Sequence, residues 1–445
     1  MAAHKIPVYE SGKIPESLFS IRRLDDALAT VTDILEQVRI RGDEGVRTFA
    51  KKFDRANPVS FEVSTDDVRA AEKKLKETKP TLYKALCHSR DLAMQFALRQ
   101  KESFDTFEVE LTPGIITGQK IIPVDRAGVY VPGGRFPLFS SVIMGVMPAR
   151  AAGVNSLIFC SPPALHPSGD MSRPYCDEQI LAAASLCGVE RVFAVGGAQA
   201  IAAMAYGTQT IPAVNVIVGP GNKYVAAAKR LVYGEVGIDL LAGPSEVLII
   251  ADDSANPAWV AADMLAQAEH DVDAQAILIT QSRELSSAVI KEIEVLTVDL
   301  DESAPAIQSL SGNSAIILVE TLKEAAEIAN RKAPEHLELA LAPGKDRNFL
   351  EKTLRNYGSL FIGHGAAEIL GDYTAGLNHT LPTSGSARFT GGLSVRHFLK
   401  TVTTLRTGSD AQDDSGWKTS LAAAEEIARA EGLTFHARAA RCRLD

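Results

Sequence analysis

Apolar positions fall into two patterns along this chain of 445 residues. Up to about residue 115 they recur every three or four positions among many charges. "LDDALATVTDILEQVRIRGDEGVRTFAKKFD" has this spacing, which predicts amphipathic helices. From about 116, short apolar runs without polar alternation take over: "NSLIFCSPP", "RVFAVGG", "VNVIVGPG", "EVLIIAD", "AILITQS", "AIILVE" and "LELALA". Strands of that kind are buried on both faces. Ala-rich segments with helical spacing separate them, among them "DEQILAAASLCG", "AQAIAAMAYG" and "NKYVAAAKRLVYG".

Strand–helix–strand repetition implies parallel sheets covered by helices. The expected fold class is therefore α/β, with two Rossmann-like parallel-sheet domains, a helical N-terminal region and a C-terminal helical tail. The boundaries that follow are 1–115 for the helical region, 116–240 and 241–380 for the two α/β domains, and 381–445 for the tail. The tail is too short for a robust separate core, so it is expected to pack on the body or on a partner subunit.

Composition narrows the class. Hydrophobic residues make up 46% and charged residues 23%, a globular profile. A net charge of −9 without a basic run argues against a nucleic-acid partner. Five scattered cysteines without a C-x-x-C pair fit reduced thiols, and the N-terminus lacks an apolar signal region; a cytoplasmic location is expected. The most membrane-like stretch, "PLFSSVIMGVMPARAAGV", is interrupted by Pro148 and Arg150 and reads as a buried core helix, so no membrane partner is expected.

Ligands of open α/β sheets sit where strands give way to helix N-termini. Three Gly-rich turns follow strand-like runs: "VYVPGGRFP" (129–137), "AVGGAQAIA" (194–202) and "VIVGPGNKYV" (216–225). Glycines allow close backbone approach to a phosphate, although none of the three spells G-x-G-x-x-G. Asn256-Pro257 signals the start of a helix expected to run to about residue 270. Gln267 and His270 would then share one face near its end, a possible metal pair needing further ligands. Candidates are Asp372 and His379 in "LGDYTAGLNHTLPT" and His436 in "EGLTFHARAARCRLD". "RKAPEHLELALA" sets Glu335 beside His336, an acid–base combination suited to proton transfer.

Together these segments resemble the histidinol dehydrogenase family over nearly the whole chain. The resemblance rests on "RAGVYVPGG", "VGGAQAIAAMAYGT", "VGPGNKYVAAAK", "AGPSEVLIIAD", "QAEH", "APEHLEL", "GDYTAG" with "NHTLPT", and "EGLTFHARA", in the family's order. It implies one zinc per subunit held by Gln267, His270, Asp372 and His436, and a catalytic pair Glu335 and His336. It implies NAD contacts at Tyr130, Gln199 and Asn222, one on each Gly-rich turn. It implies substrate contacts at Ser245, Gln267, His270, His336, Asp372, Glu431 and His436. The implied assembly is a homodimer in which Glu431 and His436 serve the partner's active site. The implied reaction takes the small-molecule alcohol L-histidinol through the aldehyde to L-histidine with two NAD.

Some positions lean towards a side branch that oxidises other hydroxylated compounds such as sulfopropanediol: Arg135 in "PGGRFPL", Asp271 after "AEH", and "ARFTGGL". An arginine could pair with an anionic group. A non-catalytic nucleotide-binding paralogue and a zinc hydrolase are the remaining alternatives. Every mapped ligand and catalytic position is filled by the expected residue type, which favours the dehydrogenase.

Overall fold

The computed structural model describes residues 6–20, 25–54, 59–133, 137–170, 172–408 and 415–444. It divides into two compact units: residues 1–98 with 125–398, and residues 99–124 with 399–445.

The first unit contains two parallel sheets. In the first, strands run in the spatial order Arg191–Ala194, Ser156–Ser161, Arg126–Tyr130, Val216–Val218, Gly237–Ile238. Numbered along the chain, that is 3-2-1-4-5, so the order reverses between Arg126–Tyr130 and Val216–Val218. In doubly wound sheets the ligand crevice opens at such a reversal, beyond the carboxyl ends of the strands. Val129, Ile158, Phe159, Val192, Phe193 and Ile217 are buried, as strands covered on both faces require. The helix Asp25–Arg41 packs Val31, Ile34 and Val38 into the core beneath this sheet.

In the second sheet the order is Val8–Glu10, Ala315–Leu318, Gln275–Thr280, Glu246–Ala251, His336–Ala340, Ser359–Ile362. The last five strands repeat the 3-2-1-4-5 order, while the N-terminal Val8–Glu10 joins in parallel at the edge. That strand lies in a region whose apolar spacing predicts only helices. Three residues are too few for periodicity to register.

Pro148 lies inside the helix Ser140–Ala152, nearly all of which is buried. Proline has no N–H for the carbonyl four residues back. That carbonyl, on Met144, instead accepts from Asn378 Nδ2 at 2.8 Å. Asn378 Oδ1 in turn accepts the Thr380 N–H at 2.9 Å, so the missing helix bond fixes the loop that carries His379.

The second unit is a three-stranded antiparallel sheet, in the order Leu399–Thr407, Ile115–Pro123, Phe107–Thr112, with two helices, Ser415–Ala430 and Thr434–Leu444. Gly432, at φ +77°, turns the chain between the helices. Buried Glu425 accepts from Arg429 and lies 3.7 Å from Arg441, tying one helix to the other. A boundary at residue 115 cuts this hairpin, because Ile115–Pro123 pairs with strands on both sides. Among the described residues, no helix is long and apolar enough to cross a membrane.

Candidate active site

A cleft of about 1590 Å³ opens in the first unit. One wall comes from the carboxyl side of the first sheet: Pro132 and the turn Pro220, Gly221, Asn222. The opposite wall comes from the amino-terminal ends of strands in the second sheet, with Ser245, Glu335 and His336. The usual rule about carboxyl ends thus describes only one side of the cleft.

Local sequence explains both walls. Asn222 Oδ1 accepts the N–H groups of Tyr224 (3.0 Å) and Val225 (3.2 Å), capping the helix Lys223–Val232. Gly219 has φ +115°, and a Cβ there would lie 2.0 Å from the Tyr130 carbonyl oxygen, so only glycine fits. Across the cleft, the helix Leu322–Lys332 ends on Ala333 in the left-handed region (φ +52°), and Pro334 prevents its continuation. The chain then enters its strand at His336, which places Glu335 and His336 at the strand's mouth.

The main chain of Glu246 organises the second wall. Its N–H donates to Glu335 Oε2 (2.9 Å) and its carbonyl faces His336 Nδ1 (3.3 Å). Gln267 is fully buried. In the amide orientation that satisfies its neighbours, its oxygen accepts from Glu246 N–H (2.8 Å) and its nitrogen donates to Glu368. The Glu246 side chain forms a buried ion pair with Lys332 at 2.8 Å.

His336 Nδ1 lies 3.8 Å from Glu335 and 3.6 Å from Glu368, and Nε2 lies 3.4 Å from Asp372 Oδ1. Burial lowers the His336 pKa, but Glu368, Glu335 and Asp372 outweigh it and push it up to about 10. Burial raises Glu335 to about 8 despite His336, and it raises Glu368 well above the usual carboxylate range. Asp372 goes the other way: burial opposes its charge, yet contact with His336 holds it below its ordinary value. His379 is lowered by burial.

His336, Glu368 and Asp372 bring one donor atom each to within 4.8 Å of one another. His336 Nε2 and Asp372 Oδ1 are buried without a hydrogen-bond partner. Crowded carboxylates and an orphaned nitrogen are the environment a divalent cation relieves. His270 Nδ1 donates to the Ala266 carbonyl (3.0 Å), which leaves Nε2 as its ligating atom.

The expected site residues divide into three groups. Ser245, Gln267, His270, Glu335, His336, Asp372, Asn222 and the candidate His379 line this one cleft. Tyr130 and Gln199 do not line it: both are buried, Tyr130 Oη accepting the Gly197 N–H (3.1 Å) and Gln199 donating to Asp54 (3.1 Å). Glu431 and His436 are exposed on the second unit. The helix expected to reach residue 270 stops at Ala268, and His270 follows in a turn that leads to an Asp271–Asp273 side-chain turn (2.9 Å). Asp271 is exposed at the cleft, and Arg135 lies outside the described residues. Glu368 and Glu246 were missed. Glu368 stands four residues before Asp372, the spacing that puts two carboxylates on one helical face, which is the signal that could have found it.

The chain matches the family model described as histidinol dehydrogenase over residues 20–444. It is 46% identical over 416 residues to the Aquifex aeolicus (strain VF5) histidinol dehydrogenase, covering 93% of this chain and 92% of that one. It is 44% identical over 424 residues to the enzyme of that name from Streptococcus mutans serotype c, covering 94% and 93%. A crystal structure of histidinol dehydrogenase from Elizabethkingia anophelis superposes with a TM-score of 0.89 at 33% identity, covering 100% of this chain and 99% of that one. Two doubly wound sheets facing each other across an acid–base cleft, with these relatives, define an NAD-dependent dehydrogenase acting on CH–OH donors. The chain belongs to the histidinol dehydrogenase family.

Proposed function

We propose that this protein oxidises L-histidinol through the aldehyde to L-histidine, consuming two NAD at a site that holds one zinc per subunit. The observation that carries this reading is the convergence of Glu335, His336, Gln267, His270 and Asp372 on one wall of a cleft whose other wall is a Gly-rich turn and an Asn-capped helix N-terminus. Residues 116–240 serve in this reading as the NAD-binding domain, and residues 241–380 carry the metal and catalytic side chains.

The donor set fits a zinc ion: Gln267, His270 and Asp372 would hold it in this chain, and Asp372 Oδ1 is buried without a hydrogen-bond partner. NAD fits the Gly219–Asn222 turn, where a side chain at Gly219 would collide with Tyr130. When bound, NAD supplies the hydride acceptor and zinc a Lewis acid and template.

His336 does the proton work. With Nδ1–H directed at the Glu246 carbonyl, Nε2 is the atom left to take the hydroxyl proton of an alcohol. Positive charge seated at Asp372 opposes the field that otherwise keeps His336 protonated, which favours the neutral base. Glu335 accepts the Glu246 N–H through Oε2, and its affinity for a proton near neutrality suits it to take one from water in the second oxidation. In a homodimer, Glu431 and His436 would complete the partner's site, with the 381–445 tail packed on that partner.

The test is to count NADH formed per L-histidinol by the zinc-loaded protein. About two per substrate, abolished by chelation and restored by zinc, is expected. No NADH from protein that retains metal would overturn the histidinol reading and turn attention to other hydroxylated compounds, sulfopropanediol first.

A further inference from the structure

Behind the Gly219 turn lies an ion pair that no role in the reaction has claimed. The Lys229 and Asp239 side chains are 2% and 0% exposed and in direct contact. Each also grips the same peptide residue. Asp239 Oδ2 accepts the Gly219 N–H at 2.8 Å, and Lys229 Nζ donates to the Gly219 carbonyl at 3.0 Å. Asp239 Oδ1 accepts the Leu240 N–H at 2.7 Å as well.

The position explains the need. Gly219 follows the last residue of the strand Val216–Val218, is buried, and has φ +115°. Pro220 comes next and has no N–H to contribute. A buried residue whose N–H and carbonyl are both unpaired is costly, and here each is met by a charged partner. Two buried charges are seldom the most stabilising choice, since a well-packed apolar pair of similar volume does as well or better. An apolar pair, however, would leave Gly219 free to rotate away from its left-handed conformation.

We propose that Lys229 and Asp239 are positioning residues for the dinucleotide: by holding both ends of Gly219 they preset the Pro220–Gly221–Asn222 turn for the cofactor. The proposal rests on the reading of this turn as part of the NAD site. Lys223, the cation nearest the turn in sequence, is instead engaged at the surface by Asp26 at 2.7 Å. Asp239 also begins the segment 239–245 that crosses to Ser245 in the opposite wall, and Asp239 to Ser245 line the cleft throughout.

The test uses the full-length, zinc-loaded protein and measures NAD dissociation constants beside steady-state kinetics. The double variant Lys229→Met with Asp239→Leu removes the grip without leaving a lone buried charge. The double variant Lys229→Gln with Asp239→Asn is neutral but can still donate to the Gly219 carbonyl and accept its N–H. We expect the Met/Leu variant to bind NAD about tenfold or more weakly, with the KM for alcohol and kcat at saturating NAD within about threefold of the parent. The Gln/Asn variant should recover most of the affinity. If the Met/Leu variant does not fold, Lys229→Met with Asp239→Val, which likewise offers Gly219 neither donor nor acceptor, takes its place, with the same expectation. NAD binding within about twofold of the parent in a folded variant lacking the grip overturns the proposal while the cofactor reading stands. A parent protein that binds no NAD overturns both.

Discussion

Pro148 and Asn378 are far apart in sequence, yet the structure makes the cost of losing one depend on the other. The Met144 carbonyl is denied its helical donor by Pro148 and receives the Asn378 amide at 2.8 Å instead. Asn378→Ala therefore leaves that buried carbonyl unpaired, at about 1–3 kcal/mol, and also removes the acceptor of the Thr380 N–H, at about 1 kcal/mol. The expected loss is about 2–4 kcal/mol. In a Pro148→Ala background, residue 148 regains an N–H directed at Met144, and the first of these costs should largely disappear. A double-mutant cycle read by urea unfolding at one fixed protein concentration should give a coupling of about 1–3 kcal/mol. Because the same amide steadies the loop carrying His379, turnover should fall in Asn378→Ala as well. Stability changes that add to within about 0.5 kcal/mol would refute the idea that Asn378 substitutes for the missing helix bond.

Further expectations follow from the site. His270→Ala should release metal, measured by elemental content after dialysis, whereas His336→Asn should retain it and lose about 10²–10⁴ in kcat; metal loss from His336→Asn would reverse that division of roles. Burial raises Asp54 to about 6 against the pull of Gln199 and the Gly196 N–H. The folded state thus binds this proton more tightly than the unfolded state, and its contribution to stability is present below about pH 4 and lost as pH rises through 6. Asp54→Asn should therefore gain on the parent across that window by roughly 2 kcal/mol in chemical denaturation, with a flat difference counting against the shift. A Cβ at Gly371 would lie 2.5 Å from the Phe361 ring, whose centroid is 5.9 Å from that of His336. Gly371→Ala should cost about 1–3 kcal/mol and lower kcat by displacing the ring; unchanged kcat would show that Phe361 does not seat His336.

The chain's own pattern determined a great deal. Apolar runs without alternation, separated by Ala-rich helical segments, dictate parallel sheets buried on both faces, because a strand covered by helices has no wet side to keep polar. Asn256 announced its helix start, since a side-chain acceptor for the first amides is a local requirement. The adjacency of Glu335 and His336, and the chemistry of Gln267, His270 and Asp372, were legible as residue types in order.

Other features depended on distance in space. No spacing rule links Glu246 to Glu335, His336 and Gln267, because its main chain rather than its side chain does the holding. Lys229 and Asp239 read as one helical lysine and one loop aspartate until the fold closes both on Gly219. The second sheet offers its amino-terminal ends to the cleft while the first offers its carboxyl side, a choice made by how the sheets pack and invisible in either strand pattern. Local sequence sets which dihedrals and caps are affordable. Which buried charges meet, and which peptide they grip, is decided only when segments separated along the chain, by 10 residues for Lys229 and Gly219 and by 90 for His336 and Glu246, are excluded from water together.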